Sequence, residues 1–203
     1  MRKNILIIGL ALLMVISSGC IGESQTTATP NPTLTLQPAT ITQGETSKYF
    51  FVTYENPVEG IRIKYPAGWA KNEEQEPSRI SFYSPLESES DMFSEHVNIL
   101  IDDRFTQPIT LVEYEEIILD QLDYFFTDYR IVSTSKTTLA NSPAHEMVYT
   151  ATQEKSTAKI LQIFTIKDNK VYVITFGAEP NRYSEYLDIA QEMINSFEII
   201  YFF

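Results

Sequence analysis

Three observations on the 203-residue chain predict an α+β fold, an α–β–α sandwich around a mainly antiparallel sheet. Two segments, 110–126 and 180–197, place apolar residues at steps of three and four, as a helix with one buried stripe does. Short alternating or β-branched runs, punctuated by turn residues, lie before and between them and read as hairpin-connected strands. Two of those runs, 159–166 and 171–176, are apolar on both faces and so need cover on both sides of the sheet.

The chain opens with the three parts of an export signal. Arg2 and Lys3 give a positive start, residues 5–16 an apolar run, and Ser17, Ser18 and Gly19 small residues directly before Cys20. About a dozen apolar residues fall short of the roughly 20 that a spanning helix needs. Residues 1–19 are therefore expected to be a signal peptide. The Ser-Ser-Gly-Cys ending resembles the lipobox of exported lipoproteins, in its looser archaeal form, since Ser17 stands where a leucine is usual. That resemblance implies a lipid on Cys20, a membrane attachment through it, and residence on the outer face of the cell membrane. An ordinary cleaved signal or an uncleaved anchor is the alternative. Cys20 is the one cysteine, so no intrachain disulfide is available to the fold.

Residues 20–47 are rich in Thr, Pro, Ser and Gln without a sustained apolar period, and such a stretch cannot bury enough surface to offset its ordering entropy. Pro30, Pro32 and Pro38 favour extended conformations, so this segment is expected to tether a domain spanning 48–203 well away from the lipid. Its threonine density also permits O-glycosylation.

Within the domain, residues 49–54 form an aromatic and β-branched run that ends at Asn56-Pro57. Ile61, Ile63 and Tyr65 alternate with Arg62 and Lys64, a strand with one wet face. Pro66 and Gly68 then make a turn before Trp69, a polar loop follows, and residues 79–83 read as the next strand. Residues 86–95 are an acidic loop, and Val97, Ile99 and Ile101 mark a strand beyond it. Thr110 and Glu113 have capping-box spacing at the start of the first helix. Strands are expected at 129–134, 144–150, 159–166 and 171–176, with a tight hairpin at 167–170. Pro180 is expected to begin the second helix. A strand-like tail runs over 198–202.

The order of short motifs is similar to that of the PsbP family. It runs Gly-Ile-x-Ile-x-Tyr-Pro-x-Gly-Trp at 60–69, Ser84-Pro85, and Val97-Asn98-Ile99. Then come Thr-Leu-x-Glu-Tyr at 110–114, Thr-Leu-Ala-Asn-Ser-Pro-Ala at 138–144, 172–176, and Ser196-Phe197. The resemblance covers about residues 48–201 and is strongest to PsbP-like lipoproteins found outside phototrophs. It implies the sandwich fold and a non-enzymatic docking or assembly role at a membrane. It carries over neither a metal ligand nor a photosystem.

The residues themselves narrow the function classes. Fifteen Lys+Arg against 27 Asp+Glu give a formal charge of −12, which opposes nucleic-acid binding, because phosphate backbones are held by clustered Lys and Arg. A basic protein or a metal cation suits that charge better. There is no G-x-S-x-G elbow, no P-loop and no G-x-G-x-x-G, so nucleophilic catalysis and nucleotide binding lack support, and no enzyme is expected.

Glu113, Glu116, Asp120 and Asp123 stand three and four apart on one edge of the first helix. Like charges so placed cost a few tenths of a kcal/mol per pair, a cost compatible with a basic partner or with an ordinary solvated face. A divalent-ion site for Ca²⁺ or Mn²⁺ could draw on Asp91, Glu95 and His96. Loop carboxylates Glu87, Glu89 and Asp91 alternate but lack the glycine and closing glutamate of an EF-hand. His96 and His145 read as surface or strand-end residues. Trp69, Tyr65, Phe82 and Tyr83 read as core, with an aromatic ligand cleft as the other possibility. The function expected is a lipid-anchored extracytoplasmic module docking to an envelope protein. A surface lipoprotein binding a divalent metal or small ligand is the alternative.

Overall fold

The computed structural model describes residues 49–74, 79–153 and 156–200. The signal peptide expected at 1–19, the lipid site at Cys20 and the linker to residue 47 lie outside the described residues.

The described residues form ten strands and two helices. The chain order is β1 (Phe51–Asn56), β2 (Ile61–Pro66), β3 (Ala70–Glu74), β4 (Arg79–Tyr83), β5 (His96–Asp102) and α1 (Leu111–Phe125). Then follow β6 (Asp128–Leu139), β7 (Ser142–Gln153), β8 (Ser156–Lys167), β9 (Lys170–Ala178), α2 (Tyr183–Asn195) and β10 (Glu198–Ile199). A seven-stranded sheet runs β3-β4-β5-β9-β8-β7-β6, and a three-stranded sheet runs β1-β2-β10. Every pairing is antiparallel.

The predicted α+β sandwich is the fold observed, with α1 and α2 on opposite faces of the large sheet. Alternation along each strand explains this. Ile174 and Phe176 of β9 face α2, where Met193 and Phe197 complete a core that also takes in Ile61 and Ile63 of the small sheet. Val171 and Val173 face the other way, into a core with Tyr114, Ile118 and Leu122 of α1. Both-sided burial of β8 and β9 is what their unbroken apolar runs demanded.

Local chemistry sets the boundaries. Thr110 Oγ1 accepts from Glu113 N at 3.2 Å while Glu113 Oε2 accepts from Thr110 N at 2.8 Å, so the capping box forms. Asp168 and Asn169 both adopt positive φ (51° and 61°), as do Ala140 and Asn141 (49° and 60°), giving two tight hairpins of the type whose twist suits the flanking strands. The second hairpin makes β6 and β7 longer than the sequence pattern suggested. A register shift between Ile131 and Ser133 leaves Val132 55% exposed on the edge strand β6.

Two expectations need correction. The polar segment after Trp69 is not a loop. Ala70–Glu74 pairs with β4 as an edge strand whose residues are all exposed, so backbone bonding rather than an apolar pattern defines it. Pro180 does not begin α2 but sits in the turn before it, where Arg182 N donates to Glu179 O at 2.9 Å and Arg182 is the N-cap.

Candidate partner-binding surfaces

The first candidate surface is the outer edge of α1. Tyr114, Ile118 and Leu122 bury its inner stripe, and His145 Nδ1 lies 2.6 Å from Glu115 Oε2, tying the helix to β7. Glu113, Glu116, Asp120 and Asp123 are all exposed, as the helical spacing requires. They are not equivalent. Glu113 closes the capping box, and the Thr110 backbone N–H and hydroxyl hold its carboxyl below the usual range. Asp123 accepts from the Tyr129 hydroxyl at 2.8 Å. Glu116 and Asp120 are engaged by no ion pair or side-chain hydrogen bond among the described residues. The same outward side carries Val112, 58% exposed, and Tyr124, 68% exposed.

The loop between β4 and β5 is organised by its own carboxylates. Asp91 accepts from the backbone N–H groups of Glu87 and Phe93 at 2.9 and 3.0 Å. Glu87 accepts from the Tyr186 hydroxyl at 2.9 Å and pairs with Arg182, strapping the loop to α2. Glu95 is buried, with Ser84 Oγ donating to it at 3.2 Å, and burial pushes its carboxyl upward. His96 is also buried, contrary to its expected surface position. Its Nδ1 sits 3.1 Å from Ser94 O, and burial lowers its basicity. Asp91, Glu95 and His96 are therefore spent on loop and strand packing and form no ligand set. Among the described residues no three His, Cys, Asp or Glu side chains are placed to hold a metal ion.

The aromatic residues of the first hairpins are mostly core. Trp69 is 7% exposed, with its ring 6.3 Å from Tyr186, and Phe82 is fully buried between Tyr54 and Tyr65 at 5.9 and 4.6 Å. Tyr65, however, also lines a cleft of about 930 Å³ between β1 and β3 that the sequence did not disclose. Tyr54 forms its wall, buried beneath Lys71, whose Nζ lies 4.6 Å from the ring centroid. Lys71 pairs with Glu73, Arg79 pairs with Glu74 at 3.2 Å, and Arg62 pairs with Glu55 at 2.9 Å. Asn56 Oδ1 accepts from Val58 N and Glu59 N at 3.0 and 3.1 Å, fixing the turn at the cleft mouth. Burial, with Glu73 and Glu59 nearby, pushes the Tyr54 hydroxyl up to about 12.

A two-helix α–β–α sandwich around an antiparallel sheet is the architecture of PsbP-like domains. Residues 5–199 match the family model described as PsbP-like protein, and the chain belongs to that family. Among solved structures, the solution structure of cyanobacterial PsbP (CyanoP) from Synechocystis is similar at a TM-score of 0.56 and 13% identity, covering 78% of this chain and 97% of that one. The Ran-binding protein Mog1p of Saccharomyces cerevisiae aligns at 0.54 and 10% identity, covering 75% and 97%. LpqN of Mycobacterium tuberculosis, described as involved in cell envelope biogenesis, aligns at 0.50 and 11% identity, covering 70% and 83%. At such identities the likeness is one of fold. Comparison with curated protein sequences gives no match. No described helix is long and apolar enough to cross a membrane.

Proposed function

We infer that this protein is a lipid-anchored, extracytoplasmic binding module without enzymatic activity, which docks to another envelope protein through the outer edge of α1. The observation that carries the reading is the pairing of unengaged Glu116 and Asp120 with exposed Val112 and Tyr124 on one side of a helix locked from behind. Carboxylates left without compensation attract a basic partner over distance, and the apolar neighbours supply contact area once it arrives. The Arg2-Lys3 start, the apolar run and the Ser-Ser-Gly-Cys20 ending support export and anchoring. The similar fold of Mog1p, described as a Ran-binding protein, supports reading this sandwich as a scaffold for protein recognition.

Crosslinking in native membranes followed by mass spectrometry tests both halves. The wild-type chain is expected to capture a partner that the Glu116→Lys/Asp120→Lys variant loses while still folding, and Cys20→Ser is expected to leave the membrane fraction. Retention of the partner by the charge-reversed chain overturns the docking surface. Continued membrane attachment of Cys20→Ser overturns the lipid anchor.

A further inference from the structure

The cleft between the two sheets has a feature that sets it apart from a concavity on a strand face. A strand presenting a face lines a cavity with alternate residues, whereas a strand seen edge-on contributes successive ones. Thr53, Tyr54, Glu55 and Asn56 all line this cleft. Among the described residues β1 is an outer strand of the three-stranded sheet, and β3, across the cleft, is an outer strand of the seven-stranded sheet. β1 thus meets the cleft along its edge, while Lys71, Glu73 and Glu74 of β3 and Arg79 and Ile80 of β4 line the far side, and an outer strand carries backbone N–H and C=O groups that its own sheet does not pair.

Charge narrows the occupant. Three of the four lining carboxylates have a cation in contact, through Lys71–Glu73, Arg79–Glu74 and Arg62–Glu55. Glu59, held at the mouth by the Asn56 turn, is the carboxylate left over. Val58, 90% exposed, stands beside it and offers an apolar contact at the rim.

We propose that this cleft takes an extended, basic segment of a partner protein, which adds to the free edge of β1 with a Lys or Arg side chain against Glu59. Adding a strand to an exposed edge gives affinity through main-chain hydrogen bonds and specificity through alternate side chains. The segment at 20–47 of this chain is the wrong occupant: it has no Lys or Arg, and Pro30, Pro32 and Pro38 cannot donate to a ladder. A second copy is disfavoured by the net charge of −12. The proposal rests on the reading of the domain as a binding module but uses a surface separate from α1.

The test is fluorescence anisotropy of a fluorescein-labelled Lys-Val-Lys-Val-Lys-Val peptide titrated with the full-length chain. Amide chemical-shift mapping of the unmodified protein, run alongside, locates the contact without relying on a variant. Saturable, salt-sensitive binding is expected, with shifts at residues 53–59 and 71–74. Glu59→Lys is expected to weaken it about tenfold. The same peptide N-methylated at every residue, which keeps its charge but none of its ladder donors, is expected to bind far less. No saturable binding overturns the proposal, and so does equal binding of the N-methylated peptide. Binding lost in Glu116→Lys/Asp120→Lys but kept in Glu59→Lys assigns the peptide to α1 and also overturns it. Binding kept in the α1 variant, while that variant retains its crosslinked partner, sustains the cleft and sinks only the α1 reading.

Discussion

The His96 imidazole packs directly against Gly177, so that a Cβ built on the glycine would meet its Nε2 at 2.8 Å and its Cε1 at 2.9 Å. The two residues are opposite one another in the β5–β9 pairing. The imidazole cannot retreat, because its Nδ1 is held at Ser94 O and the rings of Phe93 and Tyr83 flank it at 5.8 and 5.9 Å. Gly177→Ala is therefore expected to destabilise the domain by about 1–3 kcal/mol, the usual cost of overpacking a filled site. Urea unfolding measures it. In the His96→Ala background the same substitution should cost markedly less, and equal costs in both backgrounds would refute the steric account.

Glu95 and His96 respond to burial in opposite directions, and stability should show it. For His96 the folded state is the poorer proton binder, so its contribution is complete above the unfolded pKa and is lost as pH falls below it. Glu95 holds its proton to higher pH folded than unfolded, so its contribution is present at low pH and is lost as pH rises from the ordinary carboxylate range through the raised value. Glu95→Gln keeps an acceptor for Ser84 but cannot ionise. Its stability relative to wild type is expected to grow with pH from about 4.5 upward, as measured by unfolding at a series of pH values. A constant difference across pH would show that Glu95 does not titrate in this way.

The elements that could be read from the sequence are those whose burial writes a period into it. Leu122 and Ile118 fall on a helical stripe, Ile61 and Ile63 on an alternation, and the unbroken apolar run of β8 announces cover on both faces. β3 escaped notice because an exposed edge strand needs no apolar residue at all. For the same reason the cleft beside it could not be anticipated: it arises where the edge of β1 meets the outer strands of the large sheet, a relationship between residues 53–59 and 71–74 with no local signature. The acidic stripe of α1 was legible as spacing, and Glu113 was already set apart in it by its capping-box distance from Thr110. Only geometry separates Asp123, which accepts from Tyr129, from Glu116 and Asp120.

That division has a measurable consequence. Glu113→Lys removes the acceptor for Thr110 N and places a positive charge in the first turn, where the helix dipole disfavours it. A clear fall in melting temperature is expected. Glu116→Lys/Asp120→Lys breaks no such bond: it exchanges one like-charge pair four residues apart for another, while Glu113 and Asp123 each gain an opposite charge three residues away, so stability should stay within about 0.5 kcal/mol of wild type. Thermal melts followed by circular dichroism compare the two. Equal destabilisation by both would mean that the stripe is uniform, and that charge reversal there cannot report on docking alone.

The two tight turns should discriminate sharply among side chains. Asn169 sits at φ 61°, which asparagine and glycine tolerate and a β-branched residue does not. It also donates to Phe105 O, joining the β8–β9 turn to the segment before α1. Asn169→Gly isolates the bond, because the backbone remains at ease. Asn169→Val removes the bond and adds left-handed strain, and is expected to cost about 1–2 kcal/mol more than the glycine variant. Asn141 adopts a similar φ of 60° but makes no described side-chain hydrogen bond, so Asn141→Gly should be close to neutral while Asn141→Val again pays the strain. Chemical denaturation of the four variants settles the matter. If valine and glycine were equivalent at both positions, the positive-φ turns could not be what fixes the register of the β6–β7 and β8–β9 hairpins.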